Sequence, residues 1–335
     1  MTNPPYIELG DDQSLLQPGL LNSTLFFIFI LKGNKTNIQN LLDRAFNTPS
    51  GDAVHYQAFS DYVALMFTHV DHLNSAAPEQ GWIAYHDIAL WVPAMVVKKE
   101  GPITIAQRLV MTPPYIFVDS GRTMVTGRET FGLPKAMGMF NMPDTHRYMG
   151  TLTVDTVGFK KPGMENIWQR LWEVQKVPST SIDSGETLAG NALNSMSEVV
   201  DELKTLFFGN SKDNDIVIPG LQLIEELFTG IRCLGLKQFR DAGNGNQACY
   251  QAIIEAPLKP VGFHGGFLMF DKFEFILNDL ASHPVSHDIG LSIGVQPVVG
   301  SLWVNLDMEM GNGQVIWEAP TTANQVTVTK GATQA

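Results

Sequence analysis

One lysine in this sequence stands in apolar company. The stretch Thr130-Phe-Gly-Leu-Pro-Lys-Ala-Met-Gly-Met-Phe140 carries no other charge. A neutral lysine amine attacks carbonyl carbon and forms a Schiff base. At an ordinary pKa near 10.4, however, only about one amine in two thousand is neutral at pH 7. Burial of Lys135 among Phe131, Leu133, Met137 and Phe140 would disfavour the ammonium and so favour this chemistry. The plainer alternative is a lysine that snorkels to water from a turn after Pro134.

Other constellations carry less. His69-Val-Asp-His72, with His55 upstream, offers two histidines and a carboxylate within four residues. On a strand His69 and Asp71 share a face and His72 points away, so the spacing does not converge on one metal ion, and no metal is expected. Gly243-Asn-Gly245 lacks the third glycine and the helix of a dinucleotide-binding loop and reads as a hairpin turn. Neither a Gly-x-Ser-x-Gly elbow nor a Walker-type phosphate loop is present. The two cysteines, Cys233 and Cys249, form no metal or disulfide pattern and read as reduced and buried.

The elements around these residues look mainly β. Leu25–Leu31 (LFFIFIL) is far short of the roughly 20 apolar residues that span a bilayer and reads as a buried strand. A helix follows, with Thr36 as N-cap, Ile38, Leu41, Leu42 and Ala45 on one face, and Pro49 at its end. Further strands are predicted over 62–70, 82–97, 104–110, 122–126 and 151–157, separated by short turns. Residues 165–230 read as a helical insertion, with amphipathic helices over 191–208 and 221–228 and a polar loop over 179–190. Strands resume over 231–239, 248–256 and 261–275, and a last hairpin, 302–310 with 314–318, turns on Gly311-Asn-Gly313 as an extension of about 293–320.

With 44% hydrophobic and 17% charged residues, 30 glycines and 19 prolines, the 335-residue chain suits one large β-rich domain over 1–335. A net charge of −12 without a basic block argues against nucleic-acid or anionic-membrane partners. The N-terminus is acidic and proline-broken, unlike a signal peptide, so a cytoplasmic protein is expected.

Gly127-Arg-Glu-Thr-Phe-Gly-Leu-Pro-Lys-Ala136 resembles the Gly-Arg-Glu…Pro-Lys signature of the acetoacetate decarboxylase superfamily. The flanks Tyr115–Asp119 and Tyr148–Phe159, and the later segment 236–251, resemble family members too, so the likeness covers about residues 20–160 and 231–292. The resemblance implies an antiparallel, cone-like β-barrel, usually homo-oligomeric, around a Schiff-base lysine at position 135. No cofactor is implied. The chain also departs from the family. The decarboxylase proper has a second lysine where this chain has Ala136, the kind of neighbour that activates a lysine in acetoacetate decarboxylase, a standard example of such activation. The family's upstream glutamate is matched only by Asp87 in His86–Pro93, and a polar residue of the aldolase-dehydratases by Phe131. A late acid of those relatives falls near His264, where none stands.

The expectation is a lyase that forms a Schiff base with a keto acid or other carbonyl substrate, in secondary metabolism and with a hydrophobic substrate. Decarboxylation or aldol condensation with dehydration would follow. Lys135 would be the nucleophile and His264, Asp87 and Glu129 the acid–base candidates. Arg128 would serve a substrate carboxylate, with Phe131, Leu133 and Met137 lining the pocket. The alternative is a barrel that binds a small molecule, or templates a cyclisation, without imine chemistry.

Overall fold

The computed structural model describes residues 4–7, 14–100, 103–143, 150–178, 188–208 and 231–320. Its strands are β1 (Gly19–Lys32), β2 (His55–Ala58), β3 (Tyr62–Asn74), β4 (Trp82–Glu100), β5 (Ile103–Val118), β6 (Lys135–Asn141), β7 (Leu152–Gly158) and β8 (Ile167–Lys176). They continue with β9 (Gly190–Leu193), β10 (Ile231–Arg240), β11 (Ala248–Met269), β12 (Phe273–Leu277), β13 (Gly294–Pro297), β14 (Gly300–Met310) and β15 (Gln314–Glu318). The helices are α1 (Lys35–Leu42), α2 (Thr48–Ser50), α3 (Gly121–Phe131), α4 (Met196–Phe208) and α5 (Val285–Ile289).

Pairing closes β4–β5–β10–β11–β14–β1–β3 and back to β4 into a barrel, antiparallel except where β5 meets β10. A second run, β6–β7–β8–β12–β13, leaves the barrel through the parallel pairing of β6 with β5. Its side chains pack on Phe27, Phe29 and Phe117 of the barrel strands, in one core with Trp172 and Phe275. Phe117 meets Trp172 edge-on at 5.4 Å. The opposite residues of β1, Phe26 and Ile28, line a cavity inside the barrel. Strand β1 is covered on both faces, which explains why LFFIFIL has no polar alternation.

Several predicted elements change identity. Residues 122–126, predicted as strand, belong to α3, whose Ser120 N-cap accepts from the Thr123 N–H and whose buried Thr123, Thr126, Gly127 and Phe131 share one helical face. Helical periodicity and capping here outweigh the β preference of Thr and Val. The first helix is capped by Asn34, not Thr36, and passes through a π-helical turn over Asp43–Asn47 into α2, which contains Pro49. Among the described residues of 165–230, β8 and β9 are strands paired into the sheets and only α4 is helical. The predicted helix over 221–228 lies outside the described residues, as does most of the loop over 179–190.

The last hairpin is not a hairpin. Strand β14 lies between β1 and β11, and β15 also pairs with β11, in the same direction. Gly311 donates its N–H to Pro257 O, so Gly311–Gly313 is a break in one long antiparallel partner of β11 rather than a reversal. The hairpin between β10 and β11 does form, with Asp241 Oδ1 accepting from the Gly243 and Asn244 N–H groups. Cys233 is buried, but Cys249 is exposed, contrary to expectation.

A buried carboxylate ties the helical corner to the barrel. Asp288 of α5 accepts from Arg44 Nη2 at 2.9 Å and Tyr115 Oη at 2.9 Å, and pairs with His287. Burial alone would raise its pKa, but the hydrogen bonds from His287, Arg44 and Tyr115 outweigh burial and hold it below the ordinary value. A depressed carboxylate stabilises the fold above its unfolded pKa, and that stability is lost as pH falls through the folded value. Asp288→Asn is therefore expected to cost about 1.5–3 kcal/mol near neutral pH. The gap to the parent should close below the unfolded value of 3.8. Urea unfolding at a series of pH values checks this, and a gap independent of pH would contradict it.

Candidate active site

The lysine is placed by the end of α3. Gly132 adopts the left-handed conformation, at φ 70°, that ends the helix, and a Cβ there would collide with the backbone of Lys237 on β10. The chain then turns tightly at Pro134, with the Lys135 N–H donating to Leu133 O at 2.8 Å, and β6 begins. Arg128 Nη1 donates to Lys135 O at 3.1 Å and fixes the backbone. The side chain then runs past Gly127, where an added Cβ would lie 2.5 Å from Lys135 Cδ and 2.8 Å from Cε. Glycine at 127 is thus the opening through which the lysine reaches the barrel interior.

Inside, Lys135 Nζ meets Asp87 Oδ2 at 2.8 Å, with the lysine side chain 8% and the aspartate 14% exposed. The ammonium also lies 5.6 Å from the centre of the Tyr85 ring. Tyr85 and Asp87 project inward from β4 because they are two residues apart, and Thr68 faces Asp87 from β3. Burial, then the charges of Asp87 and Asp119, push the Tyr85 hydroxyl well above its ordinary pKa, so it stays neutral. The buried Cys233 thiol nearby is pushed up to about 12, chiefly by burial, which makes it a poor nucleophile.

The pair opens on a cavity of about 210 Å³. That lies below the roughly 300–1,000 Å³ usual for ligand pockets and fits a compact small molecule. Alternate residues of β14, Val304, Leu306, Met308 and Met310, form one wall. Helix α4 forms another with Met196, Val199, Val200 and Leu203, the i, i+3, i+4, i+7 face of an amphipathic helix. Gln17 Oε1 also belongs to the lining and is a buried acceptor with no donor among the described residues.

Of the residues singled out in the sequence, Lys135, Asp87, Phe131 and Leu133 come together at this cavity. Arg128, Glu129, His264 and Met137 are not part of its lining. Arg128 holds the lysine backbone, and Glu129 accepts from Tyr6 Oη at 3.1 Å. His264 pairs with Asp307 at 2.9 Å on an exposed stretch of β11. Met137 is half-buried on β6, at the last position paired with β5, and its carbonyl accepts from Thr156 Oγ1. The histidine cluster also lies away from the cavity. His69 and His86 face each other across β3 and β4 at 2.9 Å, with Asp71 and Asp119 on their outer nitrogens, while His72 packs on Trp82. Tyr85, Thr68, Gln17 and the α4 wall were missed. The alternation Tyr85-x-Asp87 and the heptad-like Met196…Leu203 face carried the signal for most of them.

No protein-family model matches the chain, and no curated protein matches it in sequence. Solved structures do match in fold. The acetoacetate decarboxylase of Legionella pneumophila superimposes with a TM-score of 0.59 at 13% identity, over 95% of this chain and 93% of that one. The enduracididine biosynthesis enzyme MppR, complexed with pyruvate, gives a TM-score of 0.52 at 11% identity, with 90% of each chain covered. An acetoacetate decarboxylase-like enzyme from Sphingomonas wittichii gives 0.51 at 10% identity, over 92% of this chain and 95% of that one. The chain has the acetoacetate decarboxylase-like fold, and the superposition extends well beyond residues 20–160 and 231–292.

The fit of Lys135 against Gly127 gives a double-mutant test. Gly127→Ala is expected to destabilise the parent by about 1–3 kcal/mol through overpacking. In a Lys135→Ala background the same change should turn stabilising by roughly 1 kcal/mol, the helix preference for alanine over glycine. Equal effects in both backgrounds, measured by denaturant unfolding, would show that the two side chains do not compete for this space.

Proposed function

We propose that this chain is a Schiff-base-forming enzyme acting on a carbonyl compound, with Lys135 as nucleophile and Asp87 as the acid–base partner. The observation that carries this reading is the Lys135–Asp87 contact at 2.8 Å inside a largely apolar cavity. Two opposite charges held out of water can cost more in desolvation than they return, so the pair marks a candidate functional site, and Asp87 sets a proton acceptor beside the amine. The likeness of the fold to acetoacetate decarboxylase, and to an enzyme complexed with pyruvate, supports the same reading.

The chemistry follows from the geometry. Proton transfer from the ammonium to Asp87 frees the amine, which adds to the substrate carbonyl carbon. The oxygen departs as water, with protons relayed by Asp87, and leaves an iminium on Lys135. That cation draws electrons from the adjacent carbon, so a bond there breaks heterolytically. Either a carboxylate leaves as CO₂ or a proton moves to Asp87, and an enamine forms in both cases. A proton added to the enamine carbon, from Asp87 or water, restores the iminium, and its hydrolysis returns the lysine. Asp87 takes the place of the second lysine absent at Ala136 by a different route, since it manages the proton instead of repelling it.

A second reading, non-covalent binding or templating in a barrel without imine chemistry, is favoured by the ion pair itself, because Asp87 supplies the ammonium with a counter-charge. Borohydride reduction in the presence of carbonyl compounds separates the two. The expected result is a mass adduct on Lys135 that disappears in Lys135→Ala. Asp87→Asn should slow adduct formation or α-proton exchange by about 10²–10⁴-fold. Absence of any adduct across keto acids, ketones and aldehydes would leave only the binding reading.

A further inference from the structure

The charges inside the barrel limit what can enter. Among the described residues lining the cavity, Lys135 and Asp87 are the only charged ones, and they face each other. A substrate carboxylate normally needs its own cation, most often an arginine that grips it with two hydrogen bonds. No arginine belongs to the described lining, and two near the barrel are engaged elsewhere. Arg128 is exposed and turned to the Lys135 carbonyl. Arg108 grips Glu255 with two bonds of 2.9 and 2.8 Å. A carboxylate bound next to Lys135 would therefore share one cation with Asp87, at close range and out of water. Like charges so placed repel, and an unpaired buried charge is costly.

The rest of the lining fits an uncharged, apolar body. Phe26, Trp91 and Val304 give it bulk. Met66, Met111, Met196, Met308 and Met310 give it soft, adjustable walls.

We propose that the cavity selects carbonyl compounds that carry no carboxylate, namely compact apolar ketones or aldehydes. The covalent step rests on the Schiff-base reading above; the selection by charge does not. A neutral ketone has no CO₂ to lose. Once the C–N bond to Lys135 has formed and water has left, the open course is transfer of an α-proton to Asp87. The C–H electron pair becomes the enamine double bond, and the iminium nitrogen recovers its lone pair. The nucleophilic enamine carbon then takes back a proton, or bonds to a second carbonyl carbon of the substrate whose oxygen accepts the proton. Hydrolysis of the iminium restores Lys135. The reaction class is α-carbon chemistry (proton exchange, aldol closure or its reverse) rather than decarboxylation.

The test compares 2-nonanone with 2-oxononanoate, matched in length and differing in the carboxylate. Calorimetric titration of the full chain should show the ketone binding at least about tenfold more tightly, the direction set by like-charge repulsion from Asp87. Asp87→Asn should narrow the gap by strengthening binding of the acid. In deuterium oxide the native chain should exchange the α-protons of the ketone, and Lys135→Ala should not. Tighter or equal binding of the acid overturns the proposal, as does failure of both compounds to bind at millimolar concentration. A preserved preference for the ketone with no borohydride adduct and no exchange would sustain the charge selection while sinking the Schiff-base reading, so the two failures are distinguishable.

Discussion

The buried contact between Lys135 and Asp87 governs much of what surrounds it. Neither group could be taken from water alone, since each would leave an isolated charge in an apolar barrel. Their meeting requires β4 to present Asp87 inward and β6 to begin at the barrel wall with Lys135 beside Ile116 of β5. It also requires α3 to end where Gly127 leaves room for the lysine stem. The parallel pairing of β6 with β5 is the joint at which the chain passes from barrel to second sheet. Lys135 is thus the first residue of the strand that joins the two sheets.

Such a site differs from one in which a second lysine repels the first. Repulsion between two ammonium groups works whether or not a substrate is present. In the proposed chemistry a carboxylate partner stabilises the resting lysine and must take its proton before attack. It can then return that proton or accept another from carbon. On the proposed reading the same carboxylate would make the cavity unwelcoming to anions, so that reactivity and selectivity share one side chain.

Much of this was legible in the sequence, and the physical reasons differ from residue to residue. LFFIFIL announced a strand covered on both faces, because only such a strand lacks polar alternation. The isolated charge of Lys135 in Thr130–Phe140 left burial and snorkelling to water both open, and the lysine is buried. Arg122–Thr126 was misread because β-branched residues favour strands only when nothing local competes, and the Ser120 cap and Gly132 stop do compete. The Gly311-Asn-Gly313 signal was read as a reversal because glycine pairs permit turns. They equally permit a break in a strand that keeps its direction along β11. Glu129 and His264 were chosen for their chemistry, but only three-dimensional pairing shows that Tyr6 and Asp307 hold them away from the cavity. Asp87 could be named but not placed, because register across β3, β4 and β5 depends on bulges that a single sequence does not mark.

Helix α4 closes the barrel without belonging to it. The strands that hold Lys135 and Asp87 depend on one another through a closed ring of hydrogen bonds, so a change in one disturbs the rest. Met196, Val199, Val200 and Leu203 belong to no such ring. The chain therefore separates the closed ring that carries the Lys135–Asp87 pair from a helix that lines the cavity beside it. Substitution on this one helical face would change the room in the cavity while leaving Lys135 and Asp87 on their strands.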